Sequence, residues 1–329
     1  METTATANLD RELEARVAVI RRAAALAGET CNQIRHSFSQ QDVAHKVGRE
    51  PVTVADYVSQ AIITWHLRSE FATDRLIAEE AGTAMRDGDH AELVPSVERW
   101  FARATGDSFE AAQILDLLDD RSGSSDITWV VDPIDGTKGF LRGDQYAVAV
   151  GLLYGGRPVA GVLACPAWSD GPAVFFAQSG KGSWRETDRD PQQLSVSDYQ
   201  DSNLRILASV ESGHSDPEVV RGVRQALGIA ETVRVDSQAK YGYVASGAAE
   251  IYLRPQSRPG YQEKVWDHAA GVAVVEAAGG TVTDIDGKPL DFSLGPKLVA
   301  NRGVLATHGR CHEQVVDAIH RVESEIRQS

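Results

Sequence analysis

Apolar residues in the first part of the chain recur at the spacing of amphipathic helices. They return every three or four positions over residues 9–37, and a second such stripe covers residues 53–71. Thr53 and Asp56 resemble a capping box, in which two polar side chains three residues apart close the start of a helix. The pattern therefore predicts two helices, and it places the start of the second one at Thr53.

The pattern then changes to that of β-strands. The apolar run RLIA leads into Glu79 and Glu80, and the stretch YAVAVGLLYGGRPVAGVLACP consists of two apolar runs around Gly155 and Gly156. A glycine pair between two such runs predicts a β-hairpin and therefore antiparallel pairing. A second hairpin is expected around residues 179–182, where AVFFAQ and SWRE flank a glycine-rich turn.

Strand and helix patterns alternate beyond about residue 197, which is typical of an open α/β layer. The polar residues 83–127 contain helical patches and are interpreted as an excursion from the first sheet. The sequence thus predicts an α+β half with an antiparallel sheet, residues 1–198, followed by an α/β half, residues 199–329. Small-molecule sites commonly lie where two such halves meet.

The stretch WVVDPIDGTKGF, residues 129–140, combines a strand with an acidic turn. Pro133 cannot donate to a sheet ladder, so the strand is predicted to end near Asp132. Asp135 and the following glycine form a tight turn, with Asp135 as the predicted cap of a helix that begins near Thr137. Free N–H groups at such a helix start suit a phosphate. The alternative is a simple Asp-Gly turn after a solvated strand end.

Four further carboxylates stand at the ends of predicted elements, and each has a purely structural alternative. Glu79 and Glu80 could be a solvated strand end, Asp267 could stabilise the N-terminus of its helix, and Asp56 could act only as a helix cap. Together with the aspartates of the acidic turn they form an oxygen-only set. Such a set favours Mg²⁺ or Mn²⁺ over zinc, which prefers histidine and cysteine.

The composition excludes several classes of protein. With 42% hydrophobic and 24% charged residues, the chain is predicted to be soluble and globular. A net charge of −14, from 33 basic and 47 acidic residues, argues against binding to long nucleic acid. Three cysteines without metal-ligand spacing indicate a reducing compartment. No apolar run could span a membrane, and the acidic N-terminal region does not resemble a signal peptide, so a cytoplasmic location is expected.

Several stretches resemble the lithium-sensitive, magnesium-dependent phosphatase family that includes the inositol monophosphatases. The glutamate pair, DPIDGTKGFLRGDQYAVAVGLL and VWDHAAG are similar to the general motifs of that family. The stretches GHSD, DSQAKYG and EKVWDHAAG are similar to its 3'(2'),5'-bisphosphate nucleotidase branch. The resemblance spans residues 45–305 in family order and implies a layered αβαβα sugar-phosphatase-like fold.

The resemblance also implies a role for individual residues. The side chains of Glu79, Asp132, Asp135 and Asp267 and the carbonyl of Ile134 would bind two or three Mg²⁺ ions, with Mn²⁺ as a substitute. Asp132 is the candidate for a carboxylate that bridges two ions, and Glu80 would lie close to these ligands. Thr137, oriented by Asp56, would help to activate the attacking water. The backbone of Gly136 and Thr137 would hold the scissile phosphate. Nucleotide contacts would come from His214, Ser237, Lys240 and Arg254.

The expected activity is hydrolysis of the 3'-phosphate of adenosine 3',5'-bisphosphate to AMP and phosphate, with 3'-phosphoadenosine 5'-phosphosulfate as a further candidate substrate. Lys240 and Arg254 would form a cationic wall that suits a second phosphate better than neutral inositol. The alternatives are an inositol monophosphatase, a fructose-1,6-bisphosphatase and a catalytically silent metal-binding regulatory protein. The expected partner is a small nucleotide rather than a nucleic acid polymer or a membrane, and the chain is expected to be a monomer or a homodimer.

Overall fold

A computed structural model describes residues 2–37, 42–45, 51–197, 203–210, 216–258 and 260–328. Its helices are α1 Glu2–His36, α2 Val54–Glu70, α3 Thr83–Arg86, α4 Val94–Thr105, α5 Ala111–Leu118, α6 Thr137–Arg142, α7 Pro217–Ala226, α8 Ala239–Ala245, α9 Ala269–Ala277 and α10 His312–Gln328. Its strands are β1 Val43–His45, β2 Pro51–Thr53, β3 Arg75–Ala78, β4 Ile127–Asp135, β5 Ala147–Tyr154, β6 Arg157–Cys165, β7 Ala173–Gln178, β8 Gly182–Glu186, β9 Gln192–Gln193, β10 Arg205–Ala208, β11 Glu231–Arg234, β12 Ile251–Arg254, β13 Thr281–Thr283 and β14 Val304–Thr307.

Two sheets carry the fold. The seven-stranded sheet has the order β3-β4-β5-β6-β7-β8-β9 and is antiparallel except for the parallel pair β3 and β4. The five-stranded sheet has the order β11-β10-β12-β14-β13, with parallel pairing on both sides of β10 and antiparallel pairing around β14. Both predicted hairpins, β5-β6 and β7-β8, are confirmed.

Helices and sheets alternate in five layers. Helices α1 and α2 pack on one face of the seven-stranded sheet, and α9 packs on its other face. Helices α8 and α9 also contact strands of the five-stranded sheet, whose outer side carries α7 and α10. The layered αβαβα fold expected from the resemblance is therefore confirmed. The division at residues 198 and 199 stays a prediction, because α9 of the second half shares a core with the first sheet.

The predicted start of α2 is confirmed in detail. Thr53 is its N-cap: its side chain accepts a hydrogen bond from Ala55 N, while Asp56 Oδ2 accepts one from Thr53 N at 2.8 Å. Both partners of the capping box are buried. The capping role of Asp56 is therefore real, and it leaves the second carboxylate oxygen, Oδ1, for another partner.

The prediction that the strand leading into the acidic turn ends near Asp132 is wrong. Strand β4 continues to Asp135, with an irregularity after the pair Asp132 and Ala149, before pairing resumes at Asp135 and Ala147. The missing N–H of Pro133 interrupts the ladder, and a bulge of this kind lets the strand bypass the proline and continue. The consequence is that both aspartates are held by the sheet.

Residues 83–127 leave the sheet between β3 and β4, as predicted. Their helices nevertheless contribute to the core beside α2, where Phe101 and Leu118 are completely buried. Within the described residues, no helix combines the length and apolar character needed to cross a membrane.

Candidate active site

A cavity of about 450 Å³ lies at the end of β4, between the two halves of the chain. Ten of the residues predicted for the site line it: Glu79, Asp132, Ile134, Asp135, Gly136, Thr137, Ser237, Lys240, Arg254 and Asp267. The first six come from the antiparallel half and the other four from the α/β half. The fold thus brings together residues that are up to 188 positions apart, from Glu79 to Asp267 (267 − 79).

Two of the predicted residues that the structure describes do not line the cavity. Asp56 and Glu80 are buried, with exposed fractions of 1% and 3%. Gln60 fixes the backbone at Glu80, because its amide accepts a hydrogen bond from Glu80 N and donates one to Glu80 O, both at 2.8 Å. His214 falls in residues 211–215, outside the residues that the structure describes.

Asp132 is the most deeply buried carboxylate of the cavity lining. Its exposed fraction is 2%, and its Oδ1 has no hydrogen-bond partner among the described residues. Burial, and then the nearby charges of Glu79, Asp135 and Asp267, raise the pKa of Asp132 well above its ordinary value. An unpartnered carboxylate oxygen in this position is an open ligand for a cation.

Asp135 does not cap α6, contrary to the prediction. The N-cap of α6 is Gly136, and Asp135 Oδ2 instead accepts a hydrogen bond from Gln238 N at 2.7 Å. Gly136 has a φ of +92°, and a Cβ there would lie 3.0 Å from Ser237 Cβ, so this turn requires glycine. The acidic turn is therefore held against the α/β half rather than against its own helix.

Thr137 and Asp56 are in contact, as the resemblance implied. Thr137 Oγ1 lies 3.4 Å from Asp56 Oδ1 and 3.2 Å from the carbonyl oxygen of Ile134, and it can donate to either. Because the capping box fixes Asp56, the carboxylate oxygen that faces Thr137 is held in place by the start of α2. The hydroxyl of Thr137 is thereby oriented at the edge of the cavity.

Lys240 and Arg254 form the cationic side of the cavity. Lys240 is 3% exposed; its Nζ donates to Val235 O at 3.1 Å, and burial lowers its pKa to about 8. Arg254 Nη2 lies 2.8 Å from Glu263 Oε2 and 3.4 Å from Asp267 Oδ2. Both cations therefore have protein partners, and Arg254 connects the cationic side to a predicted metal ligand.

Glu263, Asp267 and His268 form an acidic group with the spacing of a metal site. One ligand atom of each lies within 4.8 Å of the others, a spacing that no other trio of such residues reaches in the described part of the chain. Glu263 Oε2 also contacts Arg254 and His268 Nε2, so this group is at the same time an ion-pair network. Of the three, Asp267 alone was predicted as a ligand.

The donor set of the cavity fits a hard divalent cation. The predicted ligands in its lining are four carboxylates and a backbone carbonyl, and all of them offer oxygen. Burial raises the pKa of Asp135, and it raises that of Asp267 well above the ordinary value even though Arg254 opposes the change. Buried carboxylates that disfavour one another's charge are the environment that a bound cation relieves.

Further residues line the cavity that sequence reasoning did not assign. They are Pro51, Lys138, Gly139, Ser209, Asp236, Tyr261, Lys264 and Trp266. Five of them lie next to or inside the motifs that carried the resemblance: Lys138 and Gly139 in DGTKGF, Asp236 in DSQAKYG, and Lys264 and Trp266 in EKVWDHAAG. Their position beside predicted ligands was an available signal, and Pro51 lies two residues before the predicted helix start at Thr53. Ser209 and Tyr261 had no such signal.

Comparison with known proteins shows the family to which the chain belongs. The model of the inositol monophosphatase family matches residues 12–324. A protein of Oryza sativa named 3'(2'),5'-bisphosphate nucleotidase is 36% identical, over 96% of this chain and 96% of that protein. One of Schizosaccharomyces pombe with the same name is 33% identical, over 96% and 97%. The solved structure of an inositol monophosphatase from Anabaena is 22% identical, with a TM-score of 0.65 over 94% of this chain and 97% of that one. The chain belongs to the inositol monophosphatase family.

Proposed function

We propose that this chain is a 3'(2'),5'-bisphosphate nucleotidase. It hydrolyses the 3'-phosphate of adenosine 3',5'-bisphosphate to AMP and phosphate, and it accepts 3'-phosphoadenosine 5'-phosphosulfate as a substrate of the same class. Full-length relatives with this name support the proposal. The observation that carries it is the presence, in one cavity, of a carboxylate cluster and two cations, the buried Lys240 and the half-buried Arg254.

Two anion subsites explain why the substrate carries two phosphates. The carboxylate side binds an anion only through cations, so it is the place for the phosphate that is cleaved. Lys240 and Arg254 can bind the other phosphate directly, since charge-assisted hydrogen bonds to phosphate oxygens are among the strongest in proteins. Inositol 1-phosphate has one phosphate and would leave this second subsite unused.

The residues that would hold the metal are Glu79, Asp132, Asp135, Asp267 and the carbonyl of Ile134. We assign Mg²⁺, two or three ions, with Mn²⁺ as a substitute, because oxygen-only donors suit both. When bound, the ions neutralise phosphate charge and lower the pKa of a coordinated water. Glu80 lies buried beside Glu79 and supports the negative potential of this side.

Thr137 and Asp56 would act together on the attacking water. Asp56 accepts the hydroxyl proton of Thr137, which leaves the lone pairs of that oxygen to accept a hydrogen bond from the water. The water is then oriented toward phosphorus, and its proton has an acceptor. The backbone of Gly136 and Thr137 would hold the scissile phosphate, and His214 and Ser237 would contact the nucleoside.

We also propose a cytoplasmic location and a monomeric or homodimeric state. No disulfide joins Cys31, Cys165 and Cys311, which are all buried, and this suits a reducing compartment. The substrate is a small diffusible nucleotide, so neither nucleic acid nor a membrane is required as a partner.

A phosphate-release assay under Mg²⁺ tests the proposal. The substrates are adenosine 3',5'-bisphosphate, inositol 1-phosphate and fructose 1,6-bisphosphate, with EDTA as the metal-free control. We expect kcat/KM to be highest for the nucleotide and all activity to stop in EDTA. Preference for either sugar phosphate would assign the chain to that activity instead, and no release from any substrate would favour the metal-binding regulatory protein.

A further inference from the structure

Gln238 connects metal-ligand candidates from the two halves of the chain. Its backbone N–H donates to Asp135 Oδ2 at 2.7 Å, and its side-chain Nε2 donates to Trp266 O at 2.8 Å. Trp266 directly precedes Asp267 in the 3-10 turn Val265–Asp267. One residue therefore bonds to a ligand of the antiparallel half and to the backbone that carries a ligand of the α/β half.

The buried environment of the Gln238 amide is energetically unfavourable for a polar side chain. The side chain is 2% exposed, and its Oε1 has no hydrogen-bond partner among the described residues. Burying an amide oxygen without a partner is unfavourable, so an apolar side chain of the same size would be favoured here if packing were its only task. The amide group of Gln238 therefore makes its hydrogen bond through Nε2 alone, to Trp266 O.

The preceding residue adds a second unfavourable feature. Ser237 has a φ of +67°, the single positive value among the non-glycine residues that the structure describes. Strain of this kind persists where the surrounding contacts enforce it, and it concentrates at functional sites. The contacts here are Ser237 against Gly136, and Asp236, which pairs with Arg142 at the end of α6 and accepts from Val210 N at 3.0 Å.

We propose that Gln238 is a positioning residue that sets the separation between Asp135 and Asp267, and thereby the affinity of the cavity for divalent cations. Gln238 does not line the cavity, so it touches neither metal nor nucleotide. Groups that hold metal ligands in place typically change metal affinity or activity by about ten- to hundred-fold when they are removed. The inference rests on the proposed metal ligands, but its test does not require turnover.

The test is Gln238→Met, which keeps the side-chain length and the backbone N–H to Asp135 and removes the donor to Trp266 O. The matched control is Gln178→Met, a buried glutamine whose Nε2 also donates to a backbone carbonyl, Asp10 O at 3.2 Å, outside the cavity. Isothermal titration of each metal-free protein with Mg²⁺ measures the dissociation constant. We expect it to rise about ten-fold or more in Gln238→Met and to stay at the wild-type value in Gln178→Met.

Two kinetic readouts separate positioning from general damage. The Mg²⁺ concentration for half-maximal activity should rise in Gln238→Met, while KM for the bisphosphate at saturating Mg²⁺ stays near the wild-type value because Lys240 and Arg254 are intact. A Mg²⁺ dissociation constant within two-fold of wild type would overturn the inference. Should Gln238→Met not fold, Gln238→Asn takes its place, because its shorter amide cannot reach Trp266 O, and the same criterion applies. If the wild type itself bound no Mg²⁺, the proposed ligand set would fail first.

Discussion

The two sides of the cavity are built in different ways. On the carboxylate side, β3 and β4 are parallel neighbours, and Glu79 N donates to Val131 O at 3.1 Å, so Glu79 and Asp132 emerge together at one sheet edge. On the cationic side, Lys240 comes from the first turn of α8 and Arg254 from the end of β12. Pairing of β3 with β4 brings Glu79 and Asp132 together, whereas packing of α8 against β12 brings Lys240 and Arg254 together.

The two sides of the cavity also differ in how far the protein itself neutralises their charges. The carboxylates lack a full set of protein counter-charges, and burial raises the pKa of Asp132, Asp135 and Asp267. The cations have protein partners, Val235 O for Lys240 and Glu263 for Arg254. The acidic side is therefore completed by an external cation, while the basic side is already organised for an anion. Experiments that affect one side and not the other test this difference.

The largest effect is expected from Asp132→Asn, which removes charge from the carboxylate side without changing its volume. Activity at saturating Mg²⁺ should fall by about a hundred-fold or more, as for other losses of a preorganised charge. Asp170→Asn alters an exposed carboxylate outside the cavity and should leave activity unchanged. Wild-type activity in Asp132→Asn, measured by phosphate release, would contradict the ligand assignment.

Thr137→Ala tests the hydroxyl that contacts Asp56 and the carbonyl of Ile134. A positioned proton acceptor typically contributes about 10²–10⁴ in rate, so kcat should fall by about a hundred-fold or more, with little change in KM. Thr137→Ser keeps the hydroxyl and its bond to Asp56 and should restore most of kcat. If serine and alanine were equally slow, the methyl group and not the hydroxyl would be the important feature.

Lys240→Ala tests the cationic side. Remote contacts to substrate act in ground state and transition state alike, so the loss should appear mainly in KM. A charge-assisted hydrogen bond is worth about 1.5–3 kcal/mol, which raises KM for the bisphosphate about ten- to hundred-fold. Turnover of inositol 1-phosphate, which lacks the second phosphate, should barely change.

The pH dependence of the same KM provides a control. The pKa of Lys240 is lowered to about 8, so the side chain loses its charge as pH rises through that value. KM of the wild type for the bisphosphate should therefore rise above about pH 8, and that rise should be missing in Lys240→Ala. If Lys240→Ala lost activity equally on the bisphosphate and on inositol 1-phosphate, Lys240 would support the fold instead of binding the nucleotide.

The difference between the two sides also explains what could be predicted from sequence. The helix at Thr53, both hairpins and the helix at Thr137 follow from patterns within a few residues, and all are confirmed. The course of β4 past Pro133 was missed, because a bulge depends on the neighbouring strand β5 rather than on the proline alone. Rules based on local sequence fail where pairing with a neighbouring strand determines the end of a strand.

The capping role of Asp135 failed for a related reason. The sequence around the acidic turn offers α6 as the nearest partner, but the acceptor is satisfied by Gln238 N, 103 residues away. The contact of Glu263 with Arg254 was missed as well, because the motif EKVWDHAAG contains Glu263 but does not link it to β12. The ligand assignments themselves came from the resemblance to the family. The fold adds the observation that these residues line one cavity.

The smallest predicted effect concerns stability and pH in the metal-free protein. The folded pKa of Asp132 lies well above its ordinary value of 3.8, so its contribution favours folding at low pH and is lost as pH rises through the folded pKa.

Asp132→Asn removes a charge that the folded state disfavours, so it should stabilise the metal-free protein at alkaline pH and lose that advantage as pH falls. The half-buried His66 and the buried His268 and His312, whose pKa values burial lowers, also respond to acid, but they do so equally in both proteins. We expect a difference in melting temperature on the order of 1 to 3 °C at alkaline pH that shrinks as the pH falls. Mg²⁺ should reverse the sign of this difference at alkaline pH, because only the wild type gains stability from the ion. A difference independent of both pH and Mg²⁺ would mean that Asp132 is not part of a charge cluster that a cation completes.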